Sequence, residues 1–192
     1  FEIQNKEQLI KYSYHVAGTV GLMMSIIIGV KDQNARSAAI DLGIAMQLTN
    51  IARDVYEDAQ MKRIYIPSDW IPNIELSDLK NKNQISNEKE EVISKAIYKI
   101  IDLSEKFYKN GFSGLKYIPL RARLGIFIAG NIYKGIGIKI KKNKTKYLKQ
   151  RIYLNILDKI IITTYTIIIF FLIPFINYQY HKIRDNLPNE NL

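Results

Sequence analysis

The feature that most constrains this chain is a proline-free, helix-periodic stretch over residues 35–59 that carries a polar stripe. Four polar residues recur there at spacings of three, four and four, and these spacings place them on one helix face: Gln47, Asn50, Asp54 and Asp58. A polar stripe on an otherwise apolar helix needs partners, because burying polar groups without them is costly. No stretch of useful length alternates with the period of a strand, so the predicted fold class is all-α.

Caps and turn residues divide the rest of the chain into further helices. Asp32 or Asn34 is placed to cap the helix of the polar stripe, and Asn87 with Glu90 resembles a capping box that opens another helix. Gly111 follows the predicted end of that helix. We predict a long loop over residues 62–85, and helices over residues 6–28, 35–59, 87–110, 119–141 and 152–180.

Composition narrows the class of protein. The chain has 192 residues, enough for one domain with a real core, and it contains no cysteine, which excludes disulfide scaffolds and thiolate metal sites. The lack of cysteine fits a reducing cytoplasm. The net charge of +10 includes one basic block: Lys134, Lys139, Lys141, Lys142, Lys144, Lys146, Lys149 and Arg151. Such a block is either a solvated helix end or a contact for an anionic membrane surface or phosphorylated substrate. It lacks a recognisable nucleic-acid-binding motif, so we predict no nucleic-acid partner.

The polar stripe has a chemistry of its own. Two carboxylates one turn apart, Asp54 and Asp58, repel each other unless a cation lies between them or solvent surrounds them. Magnesium prefers hard oxygen ligands, and an amide oxygen such as that of Asn50 is one. From spacing alone, a magnesium–diphosphate platform and a solvated acidic face both remain open. Asp41 and Glu57 we interpret as surface or helix-capping charges.

Longer motifs carry a family resemblance. Residues 12–24 read YSYHVAGTVGLMM, and residues 41–67 read DLGIAMQLTNIARDVYEDAQMKRIYIP. The second motif contains N-x-x-x-D-x-x-x-D from Asn50, followed by R-x-Y-x-P from Arg63. These stretches resemble the signature regions of the squalene/phytoene synthase family, in particular of its phytoene-forming members. Later motifs, PLRAR from Pro119 and IYKGIG from Ile132, look like the family's late helices, so the resemblance extends over residues 5–141.

The resemblance implies one α-helical domain of the isoprenoid synthase type with a central cavity. Two aspartate-rich motifs would face each other at its mouth and hold magnesium ions, with manganese as the alternative ion. The implied reaction joins two geranylgeranyl diphosphates head to head, through prephytoene diphosphate, to give phytoene. Magnesium would stabilise each departing diphosphate, and the apolar cavity would exclude water from the carbocations.

The same resemblance assigns roles to individual residues. The implied metal ligands are Asn50, Asp54 and Asp58. The residues implied to act in catalysis are Asp54, Asp58 and Tyr133, while Gln47, Arg53 and Tyr133 match residues beside the diphosphate or the reacting carbons. The implied cavity lining is Tyr12, Val16, Ala17, Gly21, Ala39 and Gly43. The small residues among them have an alternative explanation, which is that they allow two helices to pack tightly.

The resemblance also sets an expectation about completeness. The family's first D-x-x-x-D motif precedes the region that matches residues 12–24, and this chain starts after it. We therefore expect an N-terminally incomplete domain with half the metal site, inactive as a separate polypeptide. Two alternatives remain: a squalene or dehydrosqualene synthase acting on farnesyl diphosphate, and a non-catalytic assembly or scaffold member.

The C-terminal third has its own organisation. We predict the synthase domain over residues 1–150, an apolar terminal helix over 151–183 and a flexible tail over 184–192. The apolar stretch 160–176 is either a buried final helix or an interfacial membrane contact, which would place a cytoplasmic protein at the membrane surface. The two histidines, His15 and His181, lack partners typical of a metal site and are interpreted as structural.

Overall fold

One long helix lies in the middle of the molecule, and other helices pack around it. The computed structural model describes residues 2–81, 85–143, 151–172, 179, 181–184 and 187. Its α-helices are α1 (Lys6–Ser13), α2 (Thr19–Ile27), α3 (Gln33–Arg53), α4 (Val55–Gln60), α5 (Leu76–Lys80), α6 (Asn87–Ser113), α7 (Leu120–Lys142) and α8 (Ile156–Leu172). A π-helical turn, Tyr14–Gly18, joins α1 to α2. The described ranges contain no strand, and the predicted all-α class is confirmed.

The central helix α3 packs against α2, α6 and α7. Asp32 starts it as predicted, because its side chain accepts a hydrogen bond from the backbone N–H of Asn34 at 2.8 Å. Its core face carries Ile40, Ile44 and Leu48 at helical spacing, all fully buried. Burial of each such side chain contributes about 1.5–3 kcal/mol to stability, so this face fixes how α3 lies in the fold.

A glycine pair allows α2 and α3 to cross in direct backbone contact. A Cβ added at Gly21 would lie 2.1 Å from the carbonyl oxygen of Ala39, and one added at Gly43 would lie 2.2 Å from that of Ala17. Both distances are too short for any side chain. The small residues of the first motif therefore do permit tight helix packing, which was one of the two explanations offered by the sequence.

The ends of α6 differ from the prediction. Ser86, not Asn87, is the capping residue, and its side chain accepts a hydrogen bond from the backbone N–H of Lys89 at 3.3 Å. The capping box proposed from Asn87 is therefore wrong. The helix also continues past Gly111, where an added Cβ would lie 2.7 Å from the Cβ of Leu42 on α3. This glycine allows two helices to approach closely and does not end one.

The last helix, α8, has two different sides. Its inner side packs on α7: Ile162 lies against Gly135, and the rings of Phe170 and Phe127 have centroids 6.4 Å apart. Its outer side is between 48% and 75% exposed at Leu157, Ile160, Ile161, Tyr165, Ile168, Phe171 and Leu172. Of the two alternatives for this stretch, a buried final helix therefore describes only the inner side of α8. The parts of this prediction at residues 173–178 and 180 lie outside the described residues.

In the part of the chain that the structure describes, no helix combines the length and the apolarity that crossing a bilayer requires.

A buried ion pair holds the C-terminal segment against the central helices. Asp41 is 0% exposed, and its carboxylate accepts a hydrogen bond from Arg184 Nε at 2.6 Å and from Asn110 Nδ2 at 3.0 Å. Asn110 also pairs with the backbone of His181, donating to its oxygen at 2.5 Å and accepting from its nitrogen at 3.0 Å. The interpretation of Asp41 as a surface charge is wrong.

The same contacts bear on the predicted tail. Of residues 184–192, the structure describes Arg184, which is buried, and Leu187, so flexibility beyond them stays a prediction. The predicted domain boundary at residue 150 falls within residues 144–150, which also lie outside the described residues.

The basic block is largely ion-paired where it is described. Lys139 donates to Asp158 at 2.5 Å, and Lys141 pairs with Asp102 and with Glu105, the latter at 3.2 Å. These lysines hold α7 to α8 and to α6. A uniformly solvated basic face is therefore the wrong description for them. Lys144, Lys146 and Lys149 lie outside the described residues.

Candidate active site

An apolar cavity of about 480 Å³ lies between α2, α3 and α7, beside the turn that ends α6. Its wall includes four of the predicted lining residues: Ala17, Gly21, Ala39 and Gly43. Among the described residues that line it, Ser25 is the only one with a polar side chain, and its hydroxyl donates to the carbonyl oxygen of Leu22 at 2.7 Å. The cavity therefore offers a ligand almost no hydrogen-bonding group and fits hydrocarbon.

Two predicted lining residues lie elsewhere. Tyr12 stacks on Tyr65, with ring centroids 4.7 Å apart, and interacts electrostatically with Asp58. Val16 is 44% exposed and lies in the π-helical turn. Tyr12 thus belongs to the acidic end of the site, and Val16 to the surface. The resemblance alone did not indicate the π-helical turn.

One face of α3 connects the cavity to the polar stripe. Ala39, Gly43 and Met46 line the cavity, and Gln47 and Asn50 continue the same face within the next turn. Both polar side chains are partly buried. A single helix face thus changes from apolar to polar over about one turn. This arrangement suits a long molecule with an apolar tail and a charged head.

Asn50 presents an unusual oxygen. Its Oδ1 atom is buried and has no hydrogen-bond partner among the described residues. Leaving a buried acceptor unpaired costs about 1–3 kcal/mol, so such atoms call for an explanation. Asn50 lies on the predicted metal-binding stripe, and a cation bound there would supply the missing partner.

The helix bends at Asp54. Asp54 ends α3 with φ −105° and ψ 20°, and α4 starts at the next residue, so the predicted single helix over residues 35–59 is two helices. Hydrogen bonds from Asp54 N to Asn50 O at 2.9 Å and from Asp58 N to Asp54 O at 2.8 Å carry the helical path through the bend. All three predicted metal ligands therefore remain on successive turns.

Two arginines hold the Asp54 carboxylate. Arg53 donates from Nε to Oδ1 at 2.8 Å and from Nη2 to Oδ2 at 2.6 Å, and Arg151 donates from Nε to Oδ1 at 2.8 Å. Burial raises the pKa of Asp54, but the hydrogen bonds and charges of both guanidinium groups outweigh it and leave that pKa below its ordinary value. The hydrogen bond to Asp54 likewise raises the pKa of Arg53.

Asp58 has the opposite electrostatic environment. Burial, followed by the negative charge of Asp54, raises the pKa of Asp58 to about 6, while Arg63 opposes the shift. The two carboxylates, one turn apart, thus differ in how their negative charge is compensated. Arginines neutralise the charge of Asp54, whereas the ionised form of Asp58 is unfavourable. Nearby, burial and a hydrogen bond to Tyr65 raise the pKa of Tyr12.

Tyr133 brings α7 to the same site. It interacts electrostatically with Arg53 of α3, and also with Tyr108 of α6, whose hydroxyl is 2.9 Å from that of Thr49. Tyr133 is therefore close enough to the arginine and aspartate end of the stripe to interact with it electrostatically. Its role next to the diphosphate stays a prediction.

Arg151 is the site residue that the sequence analysis missed. It was grouped with the basic block, and 97 residues separate it from Asp54 in the chain. No short-range pattern relates two residues at such a distance, because periodicity reports only neighbours within an element. The sequence RIYLN over residues 151–155 does place aliphatic residues at alternate positions, which is a signal for an ordered non-helical segment.

The residues present fit one side of a magnesium site. Asn50, Asp54 and Asp58 offer one amide oxygen and two carboxylates, all hard ligands, and the unpaired Asn50 oxygen and the unfavourable charge of Asp58 both favour a cation. Within the described residues, no three acidic, histidine or cysteine side chains converge on a common point. The stripe thus supplies two carboxylates and leaves further ligand positions to substrate, water or other residues.

Comparison with known proteins gives one consistent result. A sequence model of the family described as squalene/phytoene synthase matches residues 1–158. The chain is 39% identical over 135 residues to a phytoene synthase of Pseudescherichia vulneris, covering 70% of this chain and 43% of that protein. It is 37% identical over 145 residues to a 15-cis-phytoene synthase of Pantoea ananas, covering 76% and 46%.

A solved structure gives the same result for the fold. A dehydrosqualene synthase in complex with ligand superposes with a TM-score of 0.75 and 26% identity, over 91% of this chain and 60% of that one. The isoprenoid synthase type of helical fold predicted from the sequence is thereby confirmed. The chain spans about half the length of the curated relatives it matches.

Proposed function

The chain belongs to the squalene/phytoene synthase family, and on this premise we propose that it forms part of a phytoene synthase. The proposed reaction is the head-to-head condensation of two geranylgeranyl diphosphates through prephytoene diphosphate to phytoene, a step of carotenoid biosynthesis. Relatives of 33–39% identity bear the name phytoene synthase or 15-cis-phytoene synthase, which supports the C20 substrate.

The observation that carries this proposal is the single face of α3 that is apolar at one end and polar at the other. The apolar end, at Ala39 and Gly43, lines a cavity of about 480 Å³. The polar end, at Asn50 and Asp54, adjoins Arg53, whose guanidinium group suits a diphosphate. A prenyl chain would lie in the cavity, and its diphosphate would lie at the polar end.

Each residue of the site has a distinct task in this proposal. Asn50, Asp54 and Asp58 would hold magnesium, or manganese in its place, which supplies charge stabilisation for the departing diphosphate. Arg53 and Gln47 would orient the diphosphate, and the cavity wall would exclude water from the reacting carbons. Tyr133, which interacts electrostatically with Arg53, would contact the reacting end of the substrate.

Equilibrium binding tests this arrangement without requiring turnover. We suggest titrating the purified chain with geranylgeranyl thiodiphosphate, an unreactive analogue, in calorimetry with and without MgCl₂. Binding is expected to depend on magnesium and to weaken at least tenfold in Asn50→Ala. Asp69→Asn removes an exposed carboxylate outside the site and serves as the matched control, with no expected change. Binding that is equally tight without magnesium, or in Asn50→Ala, would contradict the proposal.

The same assay separates the alternatives. Burying one CH₂ contributes about 0.8 kcal/mol, so the C20 analogue is expected to bind at least tenfold more tightly than farnesyl thiodiphosphate. Tighter binding of the C15 analogue would instead favour a squalene or dehydrosqualene synthase, which the dehydrosqualene synthase fold match also allows. Failure of the full-length gene product to bind either analogue with magnesium would favour the non-catalytic assembly member.

We also propose that the outer side of α8 contacts a membrane surface. Its exposed apolar stripe includes Ile160, Tyr165 and Phe171 and extends for about 25 Å. Substrate and product of the proposed reaction are hydrocarbon-rich, so an interfacial contact would shorten their path. Sedimentation with phosphatidylglycerol vesicles is expected, and Ile160→Ser with Phe171→Ser should abolish it. Self-association through α8 without vesicle binding would overturn this proposal.

A further inference from the structure

The Asp54 carboxylate is already neutralised by cations that belong to the chain itself. Three N–H groups from Arg53 and Arg151 donate to its two oxygens at 2.6–2.8 Å. Oδ1 accepts from both arginines, so both of its lone pairs are engaged. A divalent ion that binds Oδ1 directly therefore has to displace one guanidinium group from that oxygen.

The two arginines are held differently. Arg53 is the residue next to Asp54, makes two of the three contacts and is largely buried. Arg151 makes one contact, its side chain is 51% exposed, and it comes from a distant segment. Withdrawing Arg151 into solvent therefore costs less than withdrawing Arg53.

The position of Arg151 is nevertheless specific. The segment 151–155 is neither helix nor strand, and its residues alternate between exposed and buried. Ile152 and Leu154 are both buried, and Leu154 packs near Gly135 of α7. These two side chains fix the segment, so Arg151 is delivered to Asp54 by packing and not by chance contact of a long surface side chain.

Resting on the proposed function, we infer that Arg151 is a placeholder for the divalent cation at Asp54. It neutralises the carboxylate while the site lacks metal, and it leaves when metal binds. The chain thereby avoids an uncompensated charge at the bend between α3 and α4. The consequence is that Arg151 competes with metal, so its removal should strengthen metal binding.

Manganese alone is the probe for this inference. Free Mn²⁺ is followed by its electron paramagnetic resonance signal during titration of the purified chain at pH 7.5. Arg151→Gln is expected to bind Mn²⁺ about three- to tenfold more tightly than the wild type, because an exposed ion pair and its repulsion of the metal are both lost. Arg151→Lys keeps the charge and should stay near the wild type. Arg121→Gln, which removes an exposed arginine about 18 Å along α7 from Tyr133, is the matched control.

A second measurement reports the displacement itself. Hydrogen exchange of residues 151–155 is expected to become faster when Mn²⁺ is added to the wild type, since the segment loses its contact with Asp54. If Arg151 were not displaced, metal binding would instead slow hydrogen exchange around the metal site. Thermal unfolding of each variant checks that the fold is intact.

The outcomes distinguish failure of the placeholder inference from failure of the proposed metal site. If Asp54→Asn abolishes Mn²⁺ binding but Arg151→Gln binds no more tightly than the wild type, the placeholder inference is overturned and the proposed site stands. If neither the wild type nor Arg151→Gln binds Mn²⁺ more tightly than its Asp54→Asn counterpart does, the proposed metal site and the inference fail together.

Discussion

Replacing Asp58 by asparagine is expected to stabilise the metal-free chain at neutral pH. Burial and the charge of Asp54 raise the pKa of Asp58 to about 6, from an ordinary value of 3.8. The folded chain therefore binds this proton more tightly than the unfolded chain does. Stability falls as pH rises from about 4 to about 6, and the full cost is present above pH 6. Asparagine has nearly the same shape and carries no charge at any of these pH values.

The magnitude follows from the size of the shift. One pKa unit corresponds to about 1.36 kcal/mol, so a shift of about two units gives a cost of roughly 3 kcal/mol. Asp58 is only partly buried, and solvent screening reduces the expected gain to about 1–2 kcal/mol. For a chain of this length, that gain raises the unfolding midpoint by about 2–8 °C. The gain should shrink to a few tenths of a kcal/mol near pH 4, by the same linkage.

Urea unfolding followed by circular dichroism at 222 nm measures the gain in unfolding free energy at pH 7.5 and at pH 4. Asp69→Asn is the matched control, because it makes the same substitution at an exposed position. Added MgCl₂ with pyrophosphate should then stabilise the wild type and leave Asp58→Asn unchanged. A variant that is less stable than the wild type at pH 7.5, or a gain that is equal at both pH values, would refute this account.

Two further substitutions test the packing of α3. Arg184→Met removes the buried ion pair between Arg184 and Asp41 and should destabilise the chain by about 3–5 kcal/mol in urea unfolding. A loss below 1 kcal/mol would show that the C-terminal segment is not held there. Gly43→Ala places a Cβ 2.2 Å from the carbonyl oxygen of Ala17, in the π-helical turn before α2, and should cost about 1–3 kcal/mol or more in thermal unfolding. Gly125→Ala is its control, since an added Cβ meets nothing within 4 Å there and should be neutral or stabilising; equal effects at both glycines would contradict the close crossing.

The local parts of the site could be predicted from the sequence. Helical spacing placed Asn50, Asp54 and Asp58 on successive turns, and the structure keeps them there despite the bend at Asp54. Asp32 was identified as a cap for the same reason, because capping depends on the two or three residues that follow. The neighbouring error at Ser86, one position from the predicted cap, shows that helix ends are less sharply encoded than helix faces.

The burial of Asp41 could have been predicted from its spacing in the sequence. Asp41 lies three and seven residues before Ile44 and Leu48, so helical spacing already put it on the buried face of α3. A buried carboxylate requires a cationic or hydrogen-bonding partner, and a partner could therefore have been expected. Its identity could not, since Arg184 is 143 residues away.

What the sequence determined by itself is the all-α class, the family and the polar stripe of α3, from Gln47 to Asp58. These features depend on spacing within one helix or on long motifs, and both are properties of the linear chain. The tertiary structure alone decided that the stripe continues an apolar cavity, that Tyr12 belongs with Asp58, and that Arg151 holds Asp54. Those contacts join segments far apart in the chain. They form only because burial of the helix faces brings the segments together, and local sequence patterns do not predict such long-range contacts.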